Sequence, residues 1–248
     1  MIRYARNTYF IACLRGNEIR RGLYFRWLVS PLFMVGFLVL FGLLGLLGDQ
    51  RAIFYAFTGS MTLTLISGPF QILSQDIAFL KIRGGLDYYA LQPISLLELA
   101  SGFLLAEFGA TLPIAGVALL VGYLLGMPVQ INVWLLPALL LAHIALSAVG
   151  LAIGVLSPNM RIQNLLSQLY LYIVFLFAPV MIPPERLPLW LVQIMRYSPA
   201  HQAADFLRAS IQGQVTPDSL IQAGMLAVGS LGLLILFGYS LPWRRRRT

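Results

Sequence analysis

The sequence predicts an all-α integral membrane protein with six transmembrane helices, an amphipathic N-terminal interface helix and an outer re-entrant helical pair before the last span. Three observations carry that expectation. Hydrophobic residues make up 59% of the 248 and charged residues only 10%, against roughly 25% charged in soluble domains, which removes the soluble globular enzyme. The charges are spaced so that several apolar windows of about 18 to 20 residues or more remain, each long enough to cross a bilayer. Basic residues are also shared unequally between the connections those windows leave. Disorder would need polarity, collagen a glycine period, and a disulfide scaffold more than the single Cys13.

The elements follow in chain order. Residues 1–26 hold Arg3, Arg6, Arg15, Arg20, Arg21 and Arg26 with Tyr4, Phe10, Ile11 and Leu14 among them, the pattern of a helix lying in the membrane interface. The first apolar run is too long, and begins too far along, for a cleaved signal peptide. Spans are expected over about 27–48, 52–74, 102–126, 133–157, 163–182 and 219–241. Between Arg26 and Asp49 lie 22 uncharged residues, and between Arg51 and Asp76 another 24. From Phe108 to Met160 no charge appears; that is too long for one helix, so Gly126-Met127-Pro128 through Asn132 is read as a hairpin. Six crossings put both termini on one side. That side holds thirteen basic residues and the other only Arg51, Arg186, Arg196 and Arg208, so both termini are expected in the cytoplasm and the chain in the inner (plasma) membrane. The formal charge of +8 then reflects topology, not a nucleic-acid partner.

Two segments are too polar to span and too apolar to be simple loops. Residues 75–98, on the cytoplasmic side, contain Gly84-Gly85 to break a helix, Asp87 suited to the first turn of the next, and Pro93 to end it. A short helix between breakers at the membrane surface is well shaped to receive a push from a cytosolic partner; an inert amphipathic connection is the plainer alternative. Residues 183–214, on the outer side, read as two helical pieces split at Ser198-Pro199. Leu187, Leu191 and Ile194 recur at helical spacing, while Arg196 and Arg208 would each cost about 2.5 to 3.5 kcal/mol at mid-membrane. A helix pair dipping into the outer leaflet fits both facts, as does a surface cap over the bundle.

These motifs resemble those of permeases of the type 2 ATP-binding cassette exporter family, which includes drug, polysaccharide and nodulation-factor exporters. Gly84-Gly85-Leu86-Asp87, then five residues, then Pro93-Ile94-Ser95 is similar to the family's Gly-Thr-Leu-Glu and Pro-Ile-Ser. Pro184-Glu185-Arg186-Leu187-Pro188-Leu189-Trp190-Leu191 and Ser198-Pro199 through Asp205-Phe206-Leu207-Arg208 resemble the family's stretch before its last span. The chain departs from the pattern at His201 and Gln202 and at Phe177-Ala178-Pro179. The resemblance implies two paired permease copies, a homodimer or a heterodimer, each docked on a separate ATP-binding cassette subunit. ATP and Mg would be bound by that subunit and no cofactor by this chain. It implies coupling through Lys81, Arg83, Asp87, Tyr88, Tyr89, Pro93, Asn159 and Arg161, and an outer gate containing Glu185, Trp190, Pro199, His201, Asp205 and Arg208. Independently of the resemblance, the only lysine is Lys81, followed by Ile82. A P-loop needs Gly-Lys-Ser or Gly-Lys-Thr, so any nucleotide energy has to arrive from another subunit.

The remaining polar residues weigh less. Glu107 tempts as an intramembrane carboxylate, but the run from Leu99 to Met127 would make ~43 Å of helix against a core of ~30 Å, which moves Glu107 towards the cytoplasmic interface. His143 and Ser147 invite a nucleophilic reading, yet no third orienting group accompanies them, and Ser147 fits a small-residue face with Gly150 and Gly154. Gly122 with Gly126, and Gly150 with Gly154, have the spacing for close helix approach within or between subunits. Two histidines, one cysteine and nine scattered carboxylates offer no metal set. Tyr88 and Tyr89 either pack on a partner or anchor at the interface. Asp205 and Arg208 stand three apart, as an exposed ion pair of about 0 to 1 kcal/mol. The expected function is the membrane-spanning subunit of an ATP-driven exporter. A lipid-modifying or intramembrane enzyme is the second reading, which would require clustered acid, base or metal residues. A non-transporting assembly factor is the third.

Overall fold

A computed structural model describes residues 2–20, 22–43, 49–177 and 180–240. Every regular element among the described residues is helical. The α-helices are α1 (Ile2–Arg20), α2 (Leu23–Leu43), α3 (Gln50–Leu65), α4 (Gln71–Ile82), α5 (Gly85–Ala90), α6 (Leu96–Leu124), α7 (Leu135–Leu156), α8 (Met160–Phe177), α9 (Leu189–Met195), α10 (Pro199–Ile211) and α11 (Pro217–Ser240). A 3-10 turn covers Pro184–Arg186. Stretches of α6, α7 and α11, over Leu97–Leu124, Leu135–Leu156 and Pro217–Phe237, are long and apolar enough to cross a membrane. Arg21, Ala178-Pro179 and the tail from Arg244 to Arg247 lie outside the described residues.

One π-helical turn, Ile66–Phe70, joins α3 to α4 without a break and contains Pro69. Proline has no N–H to give the helical ladder and its ring crowds the carbonyl four residues back, so the backbone widens by one residue there. Asp76 and Lys81 therefore lie on the continuation of the helix that begins at Gln50. At the end of α4, Gly84 takes a φ of 73°, a left-handed turn that a side chain disfavours, and α5 starts directly after it. Gly126 and Gly213 make the same kind of turn after α6 and α10.

α7 is the hub. Its buried side is rich in small residues, among them Ala138, Ala142, Ala145, Ser147, Ala148, Gly150 and Gly154, and α4, α10 and α11 lie against it. A Cβ on Gly150 would stand 2.4 Å from the Phe70 carbonyl oxygen, and one on Gly154 2.7 Å from that of Ser74. The Gly150 and Gly154 pair thus serves an approach inside one chain, of α7 onto the π turn and α4. Gly122 is likewise filled by the Phe57 ring, 2.3 Å from where its Cβ would be. Behind this joint, Gln163 on α8 donates to Ser74 Oγ and to Ser167 Oγ, both at 2.9 Å and fully buried, which fastens α8 to α4.

The ladder of long-range contacts defines two ends of the bundle. At one, here the Arg208 end, the α6–α7 hairpin meets the end of α10: Gln130 N donates to Ile211 O at 2.8 Å and Asn132 Nδ2 to Ser210 O at 2.5 Å. The start of α3 and residues 180–186 lie there too. At the other, the Lys81 end, α1 runs beside the first half of α6 in the same direction. Arg3 Nη2 donates to Pro93 O at 2.8 Å, Tyr4 Oη pairs with Ser101 Oγ at 2.9 Å, and Ile11 fills the space over Gly102.

Candidate functional site

At the Lys81 end the structure brings the end of α4 onto the last turn of α7, just before the turn that leads to Asn159 and Arg161. Lys81 Nζ donates to the Val155 carbonyl at 2.6 Å, in the last turn of α7, where orphan carbonyls and the helix dipole both favour a cation. Partial burial draws the lysine's pKa down. This one bond ties the end of α4 to the end of α7; in the turn that follows, Asn159 Oδ1 accepts the Ile162 N–H at 2.9 Å and starts α8, and Arg161 is exposed beside it. Arg83 is exposed with its guanidinium 5.2 Å from the Phe79 ring centre. Asp87 lies within α5, followed by Tyr88 and Tyr89, whose rings meet edge to face at 5.6 Å. Tyr89 is half-buried, and burial raises its pKa, whereas Tyr88 is exposed. With Phe79, Ile82 and Leu91 it leaves an apolar surface uncovered at this end.

Several residues that hold this end were not singled out from sequence. Ser95 and Glu98 form a capping box: Glu98 N donates to Ser95 Oγ at 3.2 Å and Ser95 N to Glu98 Oε2 at 2.5 Å. Its signature, Ser-x-x-Glu before an apolar run, is legible in Ser95-Leu96-Leu97-Glu98. Asn7 of α1 then reaches Glu98 Oε1 at 3.1 Å. Arg15 pairs with Asp76 of α4 and, at 2.7 Å, with Glu18, and lies 5.2 Å from the Phe103 ring centre. Burial opposes the charge on Arg15, but Asp76, Glu18 and Glu107 together raise its pKa. No local pattern announces that meeting of α1, α4 and α6.

Glu107 is buried in α6 and faces a cleft of about 270 Å³ bounded by Arg15, Glu18, Ile19, Gly22 and Ile72. His143 is buried in α7 with Nε2 3.0 Å from the Leu104 carbonyl and its ring 5.3 Å from Phe108. That partner requires the proton on Nε2, so the imidazole bridges α7 to α6. Among the described residues no three His, Cys, Asp or Glu side chains form a metal-binding group.

The Arg208 end is built differently. Pro199 opens α10 at its first turn, where a missing N–H costs nothing. On α10, Asp205 accepts from Arg208 Nη1 at 2.5 Å and lies 3.2 Å from His201 Nε2. Arg208 also donates Nε to Thr58 Oγ1 at 3.1 Å and Nη2 to the Val180 carbonyl at 2.8 Å, with its guanidinium 3.8 Å from the Tyr55 ring centre. It is 6% exposed. The exposed surface pair expected from sequence is therefore a buried junction of α10, α3 and the segment before the 3-10 turn. Spacing shows that Asp205 can reach Arg208, but not that α3 covers the arginine. Burial lowers the Arg208 pKa, and Asp205 and Tyr55 partly restore it. Glu185 lies in the 3-10 turn, paired with Arg51 at 2.7 Å. Trp190 on α9 is exposed together with Leu189, Ile194 and Tyr197.

The described residues thus form an all-helical bundle with membrane-length apolar helices gathered on α7. The sequence profile of the ABC-2 type transporter family matches residues 10–211, most of the chain, so the protein belongs to that family and is a transporter permease subunit. No curated protein matches it.

Proposed function

We propose that this permease is the membrane-spanning half of an ATP-driven exporter, paired with a second copy and powered by separate ATP-binding cassette subunits docked at the Lys81 end. The observation that carries the reading is the joining of residues 79–95 to the end of α7 through Lys81 and Val155, beneath an uncovered apolar surface of Phe79, Ile82, Tyr88 and Leu91. A push on α5 is delivered to α4, and from α4 to α7 through Gly150 and Gly154 and to α8 through Gln163. In this reading α2, α3 with the π turn, α6, α7, α8 and α11 are the six crossings. The Lys81 end is cytoplasmic, in line with the described Arg3, Arg6, Arg15, Arg20, Lys81, Arg83 and Arg161 on that side. ATP and Mg belong to the partner. The partner must prefer one permease conformation in one nucleotide state, because equal affinity for both would shift nothing.

The test is purification of the detergent-solubilised chain from its own membrane, with identification of bound proteins and an ATPase assay. A stoichiometric ATP-binding cassette subunit is expected. Arg83→Ala with Asp87→Ala should then lower substrate-linked ATP turnover while membrane insertion stays normal. A chain that purifies alone after gentle crosslinking overturns the exporter assignment, and normal coupled turnover in that double variant removes Arg83 and Asp87 from the coupling surface.

A further inference from the structure

Residues 180–186 form a strap across the Arg208 end, and its two ends are fastened unequally. At Val180 the fastening is buried. The carbonyl accepts Arg208 Nη2, and the backbone lies so close to α3 that a Cβ on Gly59 would stand 2.5 Å from the Val180 oxygen. At Glu185 and Arg186 it is exposed. Arg51 Nη2 donates to Glu185 Oε1 at 2.7 Å, and Arg186 Nη2 to Asp49 Oδ2. Asp49 Oδ1 is meanwhile occupied by the N–H groups of Arg51 and Ala52, at 2.9 and 3.2 Å, at the start of α3. An acid-then-base order at the entry to α3 thus faces an acid-then-base order on the strap, giving two crossed pairs. Their side chains are 63% and 56%, and 42% and 38%, exposed. Pro183 and Pro184 lie between the two fastenings, and their fixed φ makes the intervening chain stiff enough to move as a unit.

We infer that Asp49, Arg51, Glu185 and Arg186 are the releasable clasp of the outer gate, and that Arg208 with Gly59 is its fixed anchor. The inference rests on the exporter reading above, in which this end faces outwards. Exposed pairs contribute little each and are screened by salt. A fastening that has to open and close in every cycle needs that weakness, while the buried anchor keeps the strap in register. The four charges act as positioning residues that set the closed position of the strap.

The test places a reporter at the clasp end of the strap. Leu187, next to Arg186, is half-buried; in a Cys13→Ser chain, Leu187→Cys is labelled by a membrane-impermeant maleimide faster when the strap lifts. Arg51→Glu or Glu185→Arg alone is expected to speed labelling of the full chain in its membrane about three- to tenfold, because a weak attraction becomes a repulsion of similar size. The double reversal should return it to near the parent rate. Double-variant labelling as fast as in the single variants overturns the clasp. Met181→Cys, packed against Gly59 at the anchor, should stay protected in all of these variants, and fast labelling there would show that the anchor is not fixed. In the co-purified complex, ATP should raise the labelling rate of the parent. A complex that hydrolyses ATP with unchanged labelling removes the gating role. If no ATPase partner exists, the exporter reading falls instead, and the charge-reversal arm still decides whether the clasp holds the strap.

Discussion

Arg208 and Arg15 each join distant segments at opposite ends of the bundle, and they do so in opposite ways. Arg208 is buried, with a hydroxyl, a backbone carbonyl, a carboxylate and an aromatic face all within reach. Arg15 is half-buried, and its partners are charges, Asp76 and Glu18, with Glu107 beyond them. The first arrangement is held by geometry, since the planar guanidinium fills several directional positions at once. The second is held by charge, and so depends on pH and salt. In the exporter reading proposed above, one end keeps its register while the other takes up a push, and the two arginines divide stability from responsiveness in that way.

The comparison breaks most directly at Arg208. Arg208→Met removes the cation and leaves Thr58, Val180 and Asp205 without it. Removing one partner of a buried pair costs about 3 to 5 kcal/mol, and the partial exposure of Asp205 places the expected loss near the lower figure. Melting in detergent should show it, and Arg208→Lys should recover only part, because an ammonium cannot span the same positions. A variant as stable as the parent would put the two arginines in the same class.

The joint between the ends comes next. Gly150→Ala forces a methyl against the Phe70 carbonyl, and overpacking of this kind costs about 1 to 3 kcal/mol. Thermal stability should fall, whereas the same change at Gly116, where nothing stands within 4 Å of the added carbon, should be neutral or slightly stabilising.

At the Lys81 end the effects should be smaller in stability. Ser95→Ala loses the cap of α6, a cost of about 1 kcal/mol, and frees the 91–95 turn that α1 holds. Hydrogen exchange should report faster opening at the start of α6 and no change at α10. Protection lost at both ends would mean that they are a single cooperative unit.

The smallest effect is in pH dependence. Asp76 has its pKa raised from 3.8 to about 6, by burial first, with Glu107 and Glu18 adding and Arg15 opposing. A folded-state pKa above the unfolded one means that the native state holds the proton more tightly. The stability this group contributes is full below the unfolded value and is lost as pH rises through about 6. Asp76→Asn, which stays neutral throughout, should flatten the change in melting temperature between about pH 5 and about pH 7. An unchanged slope would remove Asp76 as its source.

The sequence by itself determined the solvent of this protein, its family and the position of its punctuation. Apolar windows and sparse charges require lipid. Gly84, Gly126 and Pro199 stand where the chain turns or a helix begins, because backbone dihedrals are local. The motif around Gly84 to Ser95 and the one from Pro184 to Arg208 point to the right family, since short motifs survive without knowledge of the fold. Ser95 and Glu98 were equally legible by the same local rule, although the capping box was not drawn from it. What only the tertiary structure decided is which faces meet. Helices apolar on all sides carry little phase information, so no pattern could tell that Gly150 receives the Phe70 backbone, that Arg15 meets Asp76, or that α3 covers Arg208 and turns an apparent surface pair into a buried junction. Those outcomes depend on contacts between residues 61 to 150 positions apart, and the sequence records such contacts only through the volumes and charges that happen to fit once the chain has folded.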